Sequence, residues 1–191
     1  MLIVTAVLGI AAAAVMAADT RATALTRQRP SSAHHRTTLG EFALLSSSDT
    51  DVCRDLGDLA AIERYVNSLP PMSHMQGSCC TPMDLRHFSE QVNELTAYAS
   101  IASVPPDPYD MSKQQAQQLL EFYNRIRLDN AELRTYGLAG SQTTDHGWCC
   151  CKCWAWYAHA GLAKYVTSRD GFDAQQTARL TDLEACCGGP A

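Results

Sequence analysis

The chain has 191 residues, of which 46% are hydrophobic, and a formal net charge of −5 at neutral pH. This length suits one domain with its own hydrophobic core. Because neutralising phosphates requires a basic surface, the negative charge argues against a nucleic-acid partner.

The N-terminal segment is apolar. Residues 2–17 carry no charged side chain and lead into Ala17 and Ala18, small residues that suit signal-peptidase cleavage. We therefore expect residues 1–17 to be a signal peptide and the mature protein to be secreted or periplasmic. Because no Lys or Arg precedes the apolar run, an uncleaved anchor is the alternative, but the run is shorter than the roughly 20 residues of a membrane span. No membrane partner is expected after cleavage.

The next segment, residues 18–50, is rich in Ser, Thr, Ala and Arg and has no sustained apolar period. Such a composition buries too little apolar surface to offset the entropy of ordering the chain. We predict a disordered leader here, in which the short piece GEFALL, residues 40–45, is a candidate for docking on the domain. Residues 51–191 are then the cysteine-rich helical domain.

Apolar residues recur at helical spacing from residue 51 onward. The first predicted helix runs from there until Pro70 and Pro71 stop it. The second is predicted to begin with Thr81 as N-cap, Pro82 at the first helical position and Asp84 three residues after the cap. Both helices carry one apolar stripe, so both are expected to pack on a common core.

Three further helices follow in the prediction. Ser112 and Gln115 form a capping-box pattern for the third helix, which is expected to bend near Asp129 and to end at Gly137. The loop after it leads into the sequence WCCCKCWAW, whose cysteines are predicted to lie on the first turn of the fourth helix. Asp173 and Gln176 cap the fifth. No segment alternates like a strand, so the fold class is all-α, a bundle of about five helices stapled by disulfides or by metal.

The nine cysteines are predicted to lie at helix ends. An exported chain meets an oxidising compartment, where such cysteines form disulfides. Residues adjacent in sequence rarely satisfy disulfide geometry, so the central cluster is expected to bond with the two doublets. The disulfide candidates are Cys79, Cys80, Cys149, Cys150, Cys151, Cys153, Cys186 and Cys187. These bridges would hold the second, fourth and fifth predicted helices together at one end.

An odd number of cysteines leaves one thiol over in a monomer. Cys53, alone on its predicted helix, is one candidate, and a member of the cluster is the other. An intermolecular bridge, and therefore a covalent dimer, is the further alternative. A cluster thiol near Lys152 and a helix N-terminus would have a lowered pKa, which is the basis of a thiol redox hypothesis.

Soft-metal binding is the main alternative to a disulfide framework. The loop at residues 70–83 combines thioether, imidazole and thiol groups, and it would meet the cluster if the second and fourth predicted helices lie side by side. Such ligands select Cu(I), and zinc competes for the thiolates and imidazoles. The candidate metal ligands are Met72, His74, Met75, Cys79, Cys80, His146, Cys149, Cys150, Cys151 and Cys153.

The sequence thus predicts an exported, cysteine-rich helical domain without a recognisable reaction. Its first functional interpretation is a disulfide-stapled binding or structural module with an unidentified protein partner. The alternatives are a protein that binds copper or zinc and a thiol redox protein. No catalytic residue is predicted.

Overall fold

The computed structural model describes residues 32–48 and 58–187, with side chains from residue 39 onward. All of these residues belong to the unit Ser31–Ala191. The predicted signal peptide, the first part of the predicted leader, Cys53 and the C-terminal residues 188–191 lie outside the described ranges.

Helices dominate the described residues, which confirms the all-α prediction. The described residues form seven α-helices, two more than the roughly five that were predicted. The helices are α1 (Ser32–Ser46), α2 (Leu59–Ser68), α3 (Leu85–Leu95), α4 (Lys113–Arg125), α5 (Asn130–Gln142), α6 (Trp154–Arg169) and α7 (Ala174–Leu183). A single 3-10 turn, Thr96–Tyr98, follows α3. Among these described helices, none has the length and apolar character needed to cross a membrane.

Two short strands were not predicted. β1 (His74–Gln76) pairs with β2 (Asp110–Ser112) in antiparallel fashion, and His74 lies opposite Ser112. Three residues are too few to show an alternating pattern in the sequence. The pair matters for the rest of the fold because it fixes the chain just before Cys79 and Cys80.

Helix α1 occupies part of the segment that was predicted to be a disordered leader. Leu45 is buried, and the Phe42 ring lies 6.0 Å from the ring of Phe88 on α3. The structure therefore differs from the prediction at Ser32–Ser46, whereas the expected docking of residues 40–45 agrees with these contacts. Leu45 and Phe42 bury apolar surface in this segment, and Phe42 does so against the buried ring of Phe88 on α3.

The start of α3 differs from the prediction by one turn. Its N-cap is Asp84, whose carboxylate accepts a hydrogen bond from the backbone N–H of His87. Thr81 does not cap the helix, because its hydroxyl donates to the carbonyl of Cys187, more than a hundred residues away in sequence. A tertiary contact thus takes the side chain that the local pattern had assigned to the cap.

The long third helix of the prediction is two helices. α4 starts with the predicted capping box at Ser112 and Gln115 and ends at Arg125, and Asp129 caps α5 with a second box through Glu132. The predicted bend near Asp129 is therefore a complete break. Gly137 does not end a helix, since α5 continues to Gln142. The predicted box of Asp173 and Gln176 at the start of α7 is confirmed.

Helix α6 is the central element of the core. Eleven of its sixteen residues are buried, and it packs closely against α4, α5 and α7. A Cβ atom placed on Gly161 would lie 1.9 Å from the backbone oxygen of Leu119, so the two helix backbones approach each other closely there. This rigid pair holds the N-terminus of α6, where the cysteine-rich loop ends.

Candidate metal centre

Three chain segments bring eight cysteines together at one end of the molecule. Cys79 and Cys80 follow β1, the cluster at 149–153 lies between α5 and α6, and Cys186 and Cys187 follow α7. The backbone N–H of Cys79 donates to the carbonyl of Cys186 at 2.7 Å, which ties the first segment to the last. The meeting of the two doublets with the cluster agrees with the predicted placement.

The cluster lies in the loop before α6 and not on its first turn as predicted. Cys153 is the N-cap of α6, with an extended backbone, and the helix proper begins at Trp154. Upstream, the Thr143 hydroxyl donates to the carbonyl of Gly147 at 2.7 Å and accepts from its N–H at 3.0 Å. Downstream, His159 Nδ1 lies 2.9 Å from the carbonyl of Trp148. These contacts fix Gly147 and Trp148, just before the cysteines, and the start of α6 fixes the other end of the loop at Cys153.

The sulfur atoms of the more buried cysteines lie close to one another. Cys79 Sγ lies 3.3 Å from Cys186 Sγ and 3.9 Å from Cys153 Sγ. The Sγ atoms of Cys149, Cys151 and Cys153 also lie within 4.8 Å of one another. These distances describe a group of sulfurs in mutual contact.

Cys150 is exposed and has three sulfur neighbours. Its Sγ atom lies 2.9 Å from Cys187 Sγ, 3.1 Å from Cys80 Sγ and 4.0 Å from Cys149 Sγ. Cys80 to Cys151 and Cys149 to Cys187 each measure 3.6 Å. All of these separations exceed the roughly 2.05 Å of a sulfur–sulfur bond. Several sulfurs therefore have more than one sulfur neighbour, which is the topology of a network and not of separate pairs.

The thiols perturb one another's ionisation. Hydrogen bonds from Cys149 and Cys150 lower the pKa of Cys187 to about 6, because the donated protons stabilise its thiolate. Hydrogen bonds with Cys153 and Cys187 raise the pKa of Cys149, and burial raises the pKa of Cys150 to about 12. Of Cys149, Cys150 and Cys187, the thiol of Cys187 is therefore the first to lose its proton.

The Lys152 side chain contacts two aromatic rings. Its ammonium group lies over the rings of Trp156 and Tyr157, at 5.2 and 5.6 Å from their centroids. The lowered pKa belongs to Cys187, and its largest cause is a neighbouring thiol. The N-terminus of α6, at Cys153, still contributes a favourable partial positive charge for thiolates in the loop.

An acidic side chain, Asp145, stands nearer to the sulfurs than the histidine that was predicted. A carboxylate oxygen of Asp145 lies within 4.8 Å of the sulfurs of Cys149, Cys150 and Cys187. His146 has a positive φ of 51° and its ring contacts the carbonyl of Ser141. The turn at His146 thus separates the two side chains, and adjacency in sequence gave no signal for which one faces the cluster.

The methionine and histidine candidates of the loop at 70–83 are not gathered with the cysteines. Met72 is 87% exposed, whereas Met75 is buried in the core. His74 Nδ1 lies 2.7 Å from the Asp110 carboxylate across the strand pair. These three side chains lie in different surroundings, and the potential ligands that the structure brings together are cysteines and Asp145.

Two buried polar side chains, Gln91 and Glu184, lie at the chain segment that leads into Cys186 and Cys187. Gln91 donates to the carbonyls of Leu183 and Ala185 and accepts from the Tyr109 hydroxyl. Glu184 is fully buried, its carboxylate oxygens have no hydrogen-bond partner, and burial raises its pKa well above the ordinary value. A neutral Glu184 is consistent with such surroundings. The chain entering Cys186 is therefore held by a packed and largely uncharged layer.

Comparisons with known proteins do not add to this description. No protein-family model, no curated protein and no solved structure is significantly similar to the chain. The function must therefore be argued from the site itself.

Proposed function

We propose that the protein binds soft metal ions through the thiolates of its cysteine cluster. The observation that carries this proposal is the network of sulfur separations between 2.9 and 4.0 Å, in which single sulfurs have several sulfur neighbours. Four thiolates at Zn–S distances of about 2.3 Å lie about 3.8 Å from one another at the corners of a tetrahedron. The observed separations of 3.6 to 4.0 Å are near that value, and those of 2.9 to 3.3 Å are shorter.

Zinc is a better match to the site than copper. The Cu(I) hypothesis rested partly on Met72, His74 and Met75, which lie outside the sulfur network. Sets of four thiolates are the usual ligands of structural zinc, although thiolates also bind Cu(I) strongly. We therefore propose zinc as the resident ion and copper as the competing one.

A disulfide-stapled binding module is the second candidate. The sulfur neighbours allow two pairings that use all eight described cysteines, and both join Cys79 to Cys186. One adds Cys80–Cys151, Cys150–Cys187 and Cys149–Cys153, and the other adds Cys80–Cys150, Cys149–Cys187 and Cys151–Cys153. Export, which rests on the apolar segment at residues 2–17, stays a prediction and would favour this state. The two candidates require the same cysteines in different oxidation states.

Native mass spectrometry of the full chain, purified without reductant or chelator, distinguishes metal binding from a disulfide framework. Metal binding predicts an adduct of zinc mass that is lost when the protein is denatured, together with the mass of a reduced chain. A framework predicts no adduct and a mass lower by about 8 Da, two hydrogens for each of four disulfides. The second result would overturn the metal proposal.

A set of variants identifies the ligands. Cys150→Ser is expected to reduce zinc content, because this sulfur has three sulfur neighbours within 4.0 Å. Met72→Leu is the matched control: it changes a sulfur-bearing side chain that is 87% exposed, and zinc content should not change. Equal effects of both substitutions would contradict a thiolate site.

A further inference from the structure

The eight cysteines form two groups that differ in exposure. Cys149, Cys153 and Cys186 are buried and Cys79 is partly buried, and we call these four the inner group. Cys80 and Cys150 are exposed, Cys151 and Cys187 are partly buried, and these four are the outer group. Each doublet gives one residue to each group, with Cys79 and Cys186 in the inner group and Cys80 and Cys187 in the outer group.

Each group is compact by itself. In the inner group, Cys79 Sγ contacts the sulfurs of Cys186 and Cys153 at 3.3 and 3.9 Å, and the Cys149 thiol interacts with both Cys153 and Cys79. The four sulfurs, from three chain segments, thus form a continuous set of contacts. Cys149, Cys153 and Cys186 belong to the packed core and Cys79 packs against it, and Cys153 is the N-cap of α6.

The outer group has a comparable set of contacts. The sulfurs of Cys80, Cys150 and Cys151 lie within 4.8 Å of one another, and Cys187 Sγ is 2.9 Å from Cys150 Sγ. Cys149 and Cys151 connect the groups. Cys149 Sγ is 3.6 Å from Cys187 Sγ and 4.0 Å from Cys150 Sγ, and Cys151 Sγ lies within 4.8 Å of the sulfurs of Cys149 and Cys153. The cluster thus offers two sets of four thiolates that adjoin each other.

We infer that the cluster holds two metal ions of unequal lability, a closed inner ion and an exposed outer ion that exchanges with thiol-bearing acceptors. The inference rests on the proposed metal binding. A four-coordinate site enclosed by protein resists ligand exchange, whereas exposed thiolates can be displaced one at a time. Cys80 and Cys150 are the exposed pair, 3.1 Å apart, at which an incoming ligand has access.

The exchange step needs no oxidant or reductant. An incoming thiolate forms a metal–sulfur bond while the bond from the metal to Cys80 or Cys150 breaks, and the displaced thiolate takes a proton from water. The metal keeps its oxidation state throughout. The acceptor is therefore a small thiol or a protein that presents cysteine thiolates of its own.

Zinc release tests the inference on the full chain. The zinc-loaded protein is mixed with an excess of a chromogenic chelator, and the release of zinc is followed with time. Two ions per chain and two phases of equal amplitude are expected. Cys80→Ser with Cys150→Ser should remove the fast phase and one of the two ions. Met72→Leu, as control, should keep both phases.

The inner group supplies the reciprocal variant. Cys153→Ser with Cys186→Ser should remove the slow phase, provided that far-ultraviolet circular dichroism shows a folded protein; if it unfolds, the outer variant alone decides. A single release phase, or the loss of all zinc from the outer variant, would overturn the two-site inference and leave metal binding intact. A wild-type chain without zinc would instead overturn the proposed function.

Discussion

At the scale of single residues, the partly buried Asp107 gives the protein a pH dependence of stability. Asp107 is partly buried and accepts a hydrogen bond from the N–H of Tyr109 at 2.8 Å. Burial, with smaller contributions from the charges of Asp110 and Glu41, raises its pKa from 3.8 to about 6, although the hydrogen bond from Tyr109 acts in the opposite direction. The folded state thus disfavours the ionised form of Asp107, so this group lowers the unfolding free energy as pH rises from about 4 to 6.

Asp107→Asn should therefore stabilise the protein at neutral pH. The amide keeps an acceptor for the Tyr109 N–H and removes a charge that burial penalises, so the unfolding free energy at pH 7.5 should rise by roughly 1–3 kcal/mol. The gain should disappear below about pH 4, where wild-type Asp107 is protonated. Urea unfolding at both pH values measures this, with the exposed Asp170→Asn as control. An unchanged or lower stability at pH 7.5 would contradict the argument.

Residue-scale sequence reasoning succeeded where the interaction is local. The capping boxes at Ser112 and Asp173 were predicted because both partners lie within four residues of each other. The cap at Thr81 was wrong because the hydroxyl binds Cys187, a partner that no local pattern shows. In the same way, the turn at His146 decides that Asp145 faces the sulfurs, and that turn could not be predicted from adjacent letters.

At the scale of elements, the crossing of α4 and α6 depends on a missing side chain. Gly161→Ala would place a Cβ atom 1.9 Å from Leu119 O and 3.0 Å from Tyr123 N, both backbone atoms that cannot move independently. The helices would have to separate, so we expect a loss of roughly 2–4 kcal/mol of unfolding free energy.

Gly137→Ala is the matched control for that prediction. This glycine lies inside α5, and a Cβ atom there meets nothing within 4 Å. Alanine should stabilise the helix by about 0.5–1 kcal/mol because it lowers the backbone entropy of the unfolded chain. Thermal or urea unfolding of both variants distinguishes the two effects. A Gly161→Ala protein as stable as wild type would show that α4 and α6 are not so close.

The end of α7 depends on α3 through one buried amide. Gln91 Nε2 lies 3.0 Å from Leu183 O and 2.8 Å from Ala185 O, and Tyr109 donates to Gln91 Oε1 at 2.9 Å. Gln91→Met keeps the side-chain length and removes these bonds, which leaves buried polar groups unsatisfied. We expect a loss of roughly 2–4 kcal/mol. Urea unfolding checks the value, and Gln118→Met, on the exposed face of α4, should change it by less than about 0.5 kcal/mol.

Element-scale prediction succeeded for long periodic segments and was less accurate at their ends. The apolar stripes of α2, α3 and α4 give buried residues such as Ile62, Phe88 and Leu119 as expected. Position 137 was read as a helix end because glycine is common there, but α5 tolerates it in an open position. β1 and β2 are determined by their pairing with each other, a contact between residues more than thirty positions apart.

At the scale of the whole molecule, apolar packing and cysteine contacts adjoin each other, because Cys149, Cys153 and Cys186 belong to the same core as the apolar side chains. The core around α4 and α6 consists of packed apolar side chains, among them Leu119, Leu162 and Val166, which are at most 2% exposed. The cysteine end instead brings together segments that lie more than thirty residues apart in sequence. Metal bound only by the folded state would stabilise that end by linkage. The helical core needs no metal to bury its side chains.

Hydrogen exchange after metal removal tests whether the ion stabilises only the segments that carry the cysteines. A chelator added with reductant should lower amide protection in the segments that carry the cysteines, residues 78–81, 143–153 and 184–187, while α4 and the second half of α6 keep theirs. The reason is that local opening follows the contacts that hold each segment, and only the cysteine end loses contacts when the ion leaves. Zinc added back should restore protection, and calcium, which prefers oxygen ligands, should not. A uniform loss of protection would mean that the ion stabilises the whole domain, and no change would mean that the cysteine end is held by its hydrogen bonds alone.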